Sequence, residues 1–384
     1  MMGNHGRAAT IFEAAKQLTA EARTDPLIRI ALLAVQASYF QNLRRYEDCL
    51  NTVREALRFS AESEVHLMEP MFLGCGAWSA IAAEDLKTAA HFLTKLGSNA
   101  RQLRSHEGSF HHFLRSQEAI ANGDFHKAAQ HGKLALKMLQ ELGIPINICI
   151  VHLSLAQAMH GLHKSGDAND HLKRALILAK EMGSYMLQFT ALLLRAVFSL
   201  DQGREEAALV ATRKALSVGQ EKRYFTMMVG RTRDMAKLFE KALEHGIEED
   251  YACEFIKRRR LAPEDPSRVS PRWPWPVRIQ TFGGFDLLIE GNSYFSQRKN
   301  PRKTLLLLKL LIVSGKNGIS ETQIQDALWP DMDGDRAHNI FSTTLHRLRK
   351  ILRIEQAVLL THGRVTLSPI YCWVDAHYFL ACIE

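Results

Sequence analysis

The 384-residue chain is poor in the patterns that mark metalloproteins, disulfide scaffolds, membrane spans and nucleotide switches. Its six cysteines, Cys49, Cys75, Cys149, Cys253, Cys372 and Cys382, make no CxxC pair and no spacing suited to zinc or a disulfide framework, so they read as reduced, mostly packed thiols. The 17 histidines include the neighbours His111 and His112 but no HExxH, and no metal is expected. No apolar run approaches the roughly 18 residues of a membrane helix, and the longest, LLLLKLLIV at 305–313, is broken by Lys309. The opening MMGNHGRAAT lacks the apolar core of an export signal, which makes the cytoplasm the expected compartment. No GxxxxGK[ST] occurs, since Gly315-Lys316 lacks both the upstream glycine and the following Ser or Thr. Asp201, Glu205 and Glu206 follow an apolar run but sit in a repeat turn, and no nucleophile, base and orienting acid form a recognisable set. Neither an enzyme activity nor a cofactor is therefore expected.

What the chain does have is charge in one place. Its net charge is +8, yet the stretch from Lys257 to Glu384 holds 19 Lys and Arg against 12 Asp and Glu, while the preceding 256 residues hold 30 against 29. Nearly all the excess lies in the C-terminal third, as expected if that third meets a polyanion.

The longer, balanced part repeats. Ala135-Leu136, Ala175-Leu176 and Ala215-Leu216 stand 40 residues apart, in the frames GDFHKAAQHGKLALKMLQELG from Gly123, GDANDHLKRALILAKEMG from Gly166 and GREEAALVATRKALSVGQ from Gly203. Each frame opens on a Gly-polar turn and runs into a helix with small residues where a neighbour must come close. Two helices in about 40 residues cannot enclose a core, so such units stack and bury their faces on one another. Arg54-Glu-Ala-Leu57 lies about two periods earlier and Ala89-Ala90 in the unit between, which starts the array near residue 8. The units resemble tetratricopeptide repeats, without an intact W-x-x-L-G-x-x-Y signature and longer than 34 residues. They are more similar to the roughly 40-residue helical repeats of maltose-activator-type transcription activators.

The array is expected to end in a helix near 226–245 and to occupy residues 8–250. Residues 251–276 then read as a linker, because Pro263, Pro266, Pro271, Pro274 and Pro276 deny a regular helix or central strand. Trp273 and Trp275 are too apolar to leave in water and should dock it. From Val277 the pattern changes: VRIQTF and GFDLLIE read as short strands about Gly283-Gly284, followed by helices near 301–314, 320–328 and 335–352. Ser320 and Gln323 stand at the two positions of a capping box on the second of these. AVLLTHGRVTLS then reads as a hairpin about Gly363, and CWVDAHYF closes the chain.

The helix beginning at Asp335 has two faces. Phe341, Leu345, Leu348 and Leu352 fall on one side at about 100° per residue, while Arg336, Asn339, Ser342, Thr343, His346, Arg347 and Lys350 fall on the other. Arg and Asn grip guanine and adenine edges bidentately, and Ser, Thr and Lys hold phosphates. Strands, three helices and a terminal hairpin are the order of a winged helix-turn-helix, whose third helix enters the major groove. The run ISETQIQDALWPDMDGDRAHNIFSTTLHRLRKIL, the hairpin and the closing WVDAHYF resemble the DNA-binding domain of Streptomyces antibiotic regulatory proteins, itself related to the response-regulator winged helix. That resemblance spans about 277–380 and implies a DNA-facing Arg347 and an Arg364 on the wing.

The expected architecture is thus mainly α: a tetratricopeptide-like α-solenoid followed, over 277–384, by a small α+β winged helix-turn-helix domain. Base contacts are assigned to Arg336, Asn339, Thr343, His346 and Arg347, and phosphate or wing contacts to Arg302, Lys303, Ser342, Lys350, His362 and Arg364. Double-stranded promoter DNA is the expected partner, RNA polymerase a second, and an unknown protein or small molecule the effector of the array. In the antibiotic regulators the DNA-binding domain precedes the repeats, whereas here it follows them, as in the maltose-activator type. The larger relatives of that type carry a nucleotide-binding domain that this sequence lacks, which leaves open a piece of a longer regulator or a shortened one. A different reading stays open beside DNA binding, in which the winged helix serves protein association, because Asp331, Asp333 and Asp335 oppose phosphate ahead of the third helix.

Overall fold

The computed structural model describes residues 25–98, 105–266, 268–296 and 301–383, together with Thr10 and Glu13, and divides the chain into two compact units, Met1–Arg231 and Thr232–Glu384. The first unit is a succession of helical hairpins: α1 (Pro26–Asn42) with α2 (Tyr46–Ser63), α3 (Glu69–Ala82) with α4 (Leu86–Ser98), α5 (Ser105–Ala121) with α6 (Phe125–Leu142), α7 (Pro145–Gly161) with α8 (Ser165–Glu181), and α9 (Tyr185–Asp201) with α10 (Glu205–Lys222). Within each hairpin the helices pack on each other, and each hairpin packs on the next. The expected start of the array near residue 8 lies outside the described residues.

The 40-residue period is written most clearly in the turns. Each hairpin closes through one left-handed residue, Arg44, Glu84, Gly123, His163 and Gly203 in order, with φ of 57, 62, 76, 58 and 69°. The next amide then reaches back five residues, as in Arg45 N to Phe40 O, Asp85 N to Ala80 O, Asp124 N to Ala119 O, Lys164 N to Met159 O and Arg204 N to Ser199 O. This pattern satisfies a helix-end carbonyl that would otherwise be orphaned. Only two of the five positions are glycine, so glycines mark the frame incompletely: Gly166 lies in the first turn of α8, and His163 makes the turn. Burial repeats as well. Ala56, Ala135, Ala175 and Ala215, at matching places on the second helices, are fully buried, because a side chain no larger than a methyl lets the neighbouring helix close in.

In the second unit α11 (Thr232–Glu244) and α12 (Glu249–Arg259) come first, so most of the run expected to begin the linker is helical. Tyr251, Ala252, Phe255 and Ile256 explain this: they fall on one face ahead of the first proline, and all four are buried. The Pro-rich stretch behind them packs onto these helices, with Trp273 and Trp275 at 2% and 3% exposure and Arg272 donating to Leu243 O at 3.3 Å.

The remainder is a small α+β assembly. Strands β1 (Val277–Gln280), β2 (Asp286–Ile289) and β3 (Asn292–Ser293) form an antiparallel ladder, and β7 (Cys372–Val374) joins β1 in parallel, giving the order β3-β2-β1-β7. Against it stand α13 (Arg302–Ser314), α14 (Glu321–Leu328) and α15 (Gly334–Leu352), and a second sheet ordered β4-β6-β5 from β4 (Ile319–Ser320), β5 (Val358–Thr361) and β6 (Arg364–Leu367). The chain closes with α16 (Asp375–Ile383). One core unites them, in which Phe341, Leu345, Leu348 and Leu352 meet Leu307, Leu308, Leu311, Ile324 and Leu328. Both expected classes, a helical repeat array and a small α+β region, are present, although the helix expected to end the array near 226–245 falls, as α11, in the second unit. Among the described residues no helix is long and apolar enough to cross a membrane.

Candidate nucleic-acid interface

Helix α15 owes its start to Asp333, whose carboxylate accepts from Arg336 N at 3.0 Å, and its position to the four apolar residues sunk in the core. Over 19 residues it runs about 28 Å, enough to lie along a major groove. The helix before it is fixed by the expected capping box: Ser320 Oγ accepts from Gln323 N at 3.2 Å and Gln323 Oε1 from Ser320 N at 3.1 Å. Glu321, on the first turn of α14, accepts from Gln325 Nε2 at 2.9 Å and also meets His338 Nδ1 of α15, clamping the two helices at their crossing.

Arg336, Asn339, Thr343, Arg347 and Lys350 form one stripe along α15, with Ser342 and His346 beside it, and all seven are exposed. Thr343 Oγ1 bonds back to Asn339 O at 3.0 Å. Among the described residues, Arg336, Asn339, Ser342, His346, Arg347 and Lys350 make no ion pair and no side-chain hydrogen bond, and Arg302 and His362 are equally uncommitted. The stripe thus offers exposed cations and one amide, side-chain types that can hold phosphates and base edges.

Two of the anticipated cations are spent internally. Lys303 donates to Leu328 O at 2.5 Å, closing the C-terminal end of α14. Arg364 donates to Asn317 O at 2.9 Å and Gly318 O at 2.8 Å, which ties the hairpin to the turn between α13 and α14. Removing its guanidinium, Arg364→Ala, should cost about 1 kcal/mol of stability, read as an earlier denaturant midpoint. The hairpin itself closes on His362 and Gly363, both left-handed with φ of 51 and 71°, the condition of a two-residue type I′ turn.

Three further residues matter to this geometry, though their types alone do not announce it. Arg349 sits between the apolar and basic faces and donates to Val358 O through Nε at 3.2 Å and a terminal nitrogen at 3.0 Å, holding α15 to the hairpin. Its place one residue past Leu348 is the available signal. Gly318 is left-handed with φ 61°, and a Cβ there would lie 2.6 Å from Val365 O, so only glycine lets the hairpin close. Asp375 accepts from Thr281 N at 2.7 Å, Thr281 Oγ1 at 2.6 Å, Phe282 N at 3.0 Å and Ala376 N at 2.7 Å. Burial pushes its carboxyl up, but these donors outweigh it and hold the group below the usual carboxylate range.

The array carries its own recurring polar feature. His112 and His131 face each other with Nδ1 atoms 3.0 Å apart, and His152 and His171 repeat the contact at 2.8 Å, each residue 40 positions beyond its counterpart. Burial, then the neighbouring charges of His112 and Arg115, lowers His111 to about 4, and burial, then His171 and Arg174, does the same to His152. His112, His131 and His171 are lowered too, chiefly by burial. A histidine held neutral in the fold but free to protonate when unfolded favours the unfolded state in acid. Stability is therefore complete above the unfolded value near 6.5 and falls as pH drops toward 4, by about 3 kcal/mol for His152, which is 4% exposed. Thermal unfolding followed by circular dichroism from pH 8 to 4 should show this decline for the wild type and a shallower one for His152→Gln.

Paired helices stacked at a 40-residue period make the first unit a tetratricopeptide-like solenoid, followed by an α+β domain. No model of a known protein family matches the sequence. Among curated proteins, the chain is similar to G-protein regulator 2 and G-protein regulator 1 of Caenorhabditis elegans, at 24% and 23% identity over 182 residues, 47% of this chain. It spans 33% of the length of each of those relatives. Among solved structures, a Rap protein complexed with Competence and Sporulation Factor superposes with a TM-score of 0.54 at 14% identity, covering 66% of this chain and 70% of that one. The apo form of RapI superposes at 0.51 and 14% identity, covering 67% and 92%. At such identities the likeness is one of fold, and it supports the helical array.

Proposed function

We propose that this chain is a two-part regulator, not an enzyme, in which the helical array receives a protein partner and the C-terminal unit is a winged helix that binds duplex DNA in the cytoplasm. For the first part, the support is the array's fold: a Rap protein of similar fold holds Competence and Sporulation Factor, and the curated relatives are named as regulators of G-proteins. The DNA reading is carried by one observation, the exposed and unpaired stripe Arg336, Asn339, Thr343, Arg347 and Lys350 on a helix anchored by its opposite face. Selection of the full chain against a random duplex library at low salt tests it. Enriched sequences, bound with an affinity that falls steeply as salt rises, are expected from phosphate neutralisation. Failure to enrich any duplex would sink the DNA half and leave the array half standing.

A second reading makes the C-terminal unit a protein-binding module as well. It is favoured by Leu359 and Leu360, 39% and 44% exposed on the hairpin strand β5, and by Asp331 and Asp333 before α15 with Asp335 in its first turn. Apolar hairpin residues gain from a protein surface rather than from phosphate.

A further inference from the structure

A helix is expected from about residue 226, yet α11 begins only at Thr232, and the run YFTMMVGR at 224–231 is irregular and stays within the first unit. It is not a loose connection. Met227 and Val229 are 7% and 4% exposed without belonging to any helix or strand, and the segment touches three of the five hairpins. In the fifth, Met228 N donates to Thr190 Oγ1 at 3.2 Å, and the Tyr224 ring lies 6.0 Å from that of Phe189. In the third, the Arg231 guanidinium stands 5.7 Å from the centre of the Phe125 ring. In the first, Arg44 reaches the segment across 182 residues of sequence: Nε donates to Thr226 Oγ1 at 2.8 Å, and a terminal nitrogen donates to the same hydroxyl and, at 3.1 Å, to Met227 O. Gly230, with φ 137°, gives way to the Met227 side chain, since a Cβ there would lie 1.9 Å from its methyl. A loop that only joined two helices would stay at the surface, whereas this one is laid in the groove that the stacked hairpins enclose.

Arg44 identifies what the groove is suited to hold. Its partners are a hydroxyl, a carbonyl and, at 2.8 Å, the phenol of Tyr46, which burial pushes up and keeps neutral. Among the described residues no carboxylate pairs with it, and burial lowers its guanidinium below the usual arginine value. A guanidinium drawn out of water among neutral acceptors forgoes most of the attraction that would offset its desolvation, and its fork of donors fits a carboxylate better than a hydroxyl. The unmatched charge stands in the middle of the segment, with the buried Met227 and Val229 beyond it. The group that fits is therefore a side-chain carboxylate on a chain that continues past it, not a chain end.

We propose that residues 224–231 hold the place of a partner's peptide: the partner inserts a short non-helical segment with apolar side chains and an Asp or Glu, whose carboxylate takes the Arg44 fork from Thr226, and the chain's own segment leaves to admit it. The inference rests on the array being the part that receives a protein. The probe is a labelled eight-residue peptide copying 224–231 with aspartate in place of the threonine, its binding to the full chain read by fluorescence anisotropy. Self-occupancy lowers apparent affinity by the fraction of groove left open, so Met227→Ser with Val229→Ser, which loosens the segment, should bind the peptide about tenfold tighter than wild type. Adding Arg44→Gln to that pair, or restoring the threonine in the peptide, should weaken binding by about tenfold, as loss of a charge-assisted pair does. Circular dichroism checks that the loosened variant folds. If it does not, Thr226→Asp in the otherwise unaltered chain decides: the tethered carboxylate closes the groove, so hydrogen exchange of the Met228 amide should slow by about tenfold and the peptide should bind more weakly. A folded loosened variant that binds no tighter than wild type, indifference to Arg44→Gln, or an unmoved Met228 amide in Thr226→Asp overturns the inference. None of these outcomes touches the wider reading, which also admits a partner on the outer faces of the hairpins.

Discussion

Changing Arg336, Arg347 and Lys350 together to alanine should weaken binding to a selected duplex by about 1,000-fold, roughly 4 kcal/mol, without unfolding the protein. An arginine paired with a guanine is worth ~1–3 kcal/mol, and taking one cation away from a phosphate lowers the salt slope by about one. The three side chains lie on the exposed face of α15, make no ion pair among the described residues, and contribute nothing to the core. Exposed changes of that kind normally alter stability by about 0.5 kcal/mol or less. Fluorescence anisotropy at two salt concentrations separates the effects: weaker affinity with a shallower slope means that phosphates were held, and relaxed preference at one base means that Arg347 reads it. Lys137→Ala, an exposed cation on α6, is the control and should change nothing. Wild-type affinity in the triple variant would move the C-terminal unit to the protein-association reading.

The parts of this fold that are legible in the sequence are those where one local rule decides. Phe341, Leu345, Leu348 and Leu352 announce the buried face of α15 through spacing alone, and Ser320 with Gln323 announces the start of α14 through a bond that closes within four residues. The array's period is visible at Ala135, Ala175 and Ala215 because a buried alanine on a second helix has no substitute of equal size. Its turns are less visible. Arg44, Glu84 and His163 adopt the left-handed conformation without glycine's freedom, and the five-residue-back hydrogen bond offsets the penalty, so glycine is an unreliable marker of register.

Long-range pairing is illegible for a different reason. Strand β7 is three residues long and pairs with β1 from the far end of the domain, Val277 beside Cys372, and nothing local in CWV specifies a neighbour so distant in the chain. The same limit governs the candidate site. A cation's residue type says that it can hold a phosphate, but whether it is free to do so depends on carbonyls delivered by tertiary structure. Lys303 meets Leu328 O and Arg364 meets Asn317 O and Gly318 O, whereas Arg347 and Lys350 make no ion pair or side-chain hydrogen bond among the described residues. The stripe on α15 is thus narrower than composition suggests and better defined chemically.

Phe341→Ala should be the most damaging single change in the C-terminal unit. Phe341 is 1% exposed and belongs to the core shared by α13, α14 and α15, so truncation removes transfer energy and leaves a cavity that neighbouring leucines fill only in part. The expected loss is about 3–5 kcal/mol, a large fraction of the roughly 5–15 kcal/mol that typically separates folded from unfolded domains. Because the chain forms two compact units, calorimetry should resolve the loss as one transition falling by roughly 10 °C while the other stays in place. Phe341→Leu, which keeps most of the volume, should move that transition far less. Duplex binding adds a second readout: below the lowered transition the exposed stripe is intact and affinity should approach wild type, and above it binding should vanish together with the helix that carries Arg347. A Phe341→Ala protein whose transitions do not move would mean that α15 is not held by its apolar face. In that case the stripe opposite would lack the rigid platform that reading a groove demands.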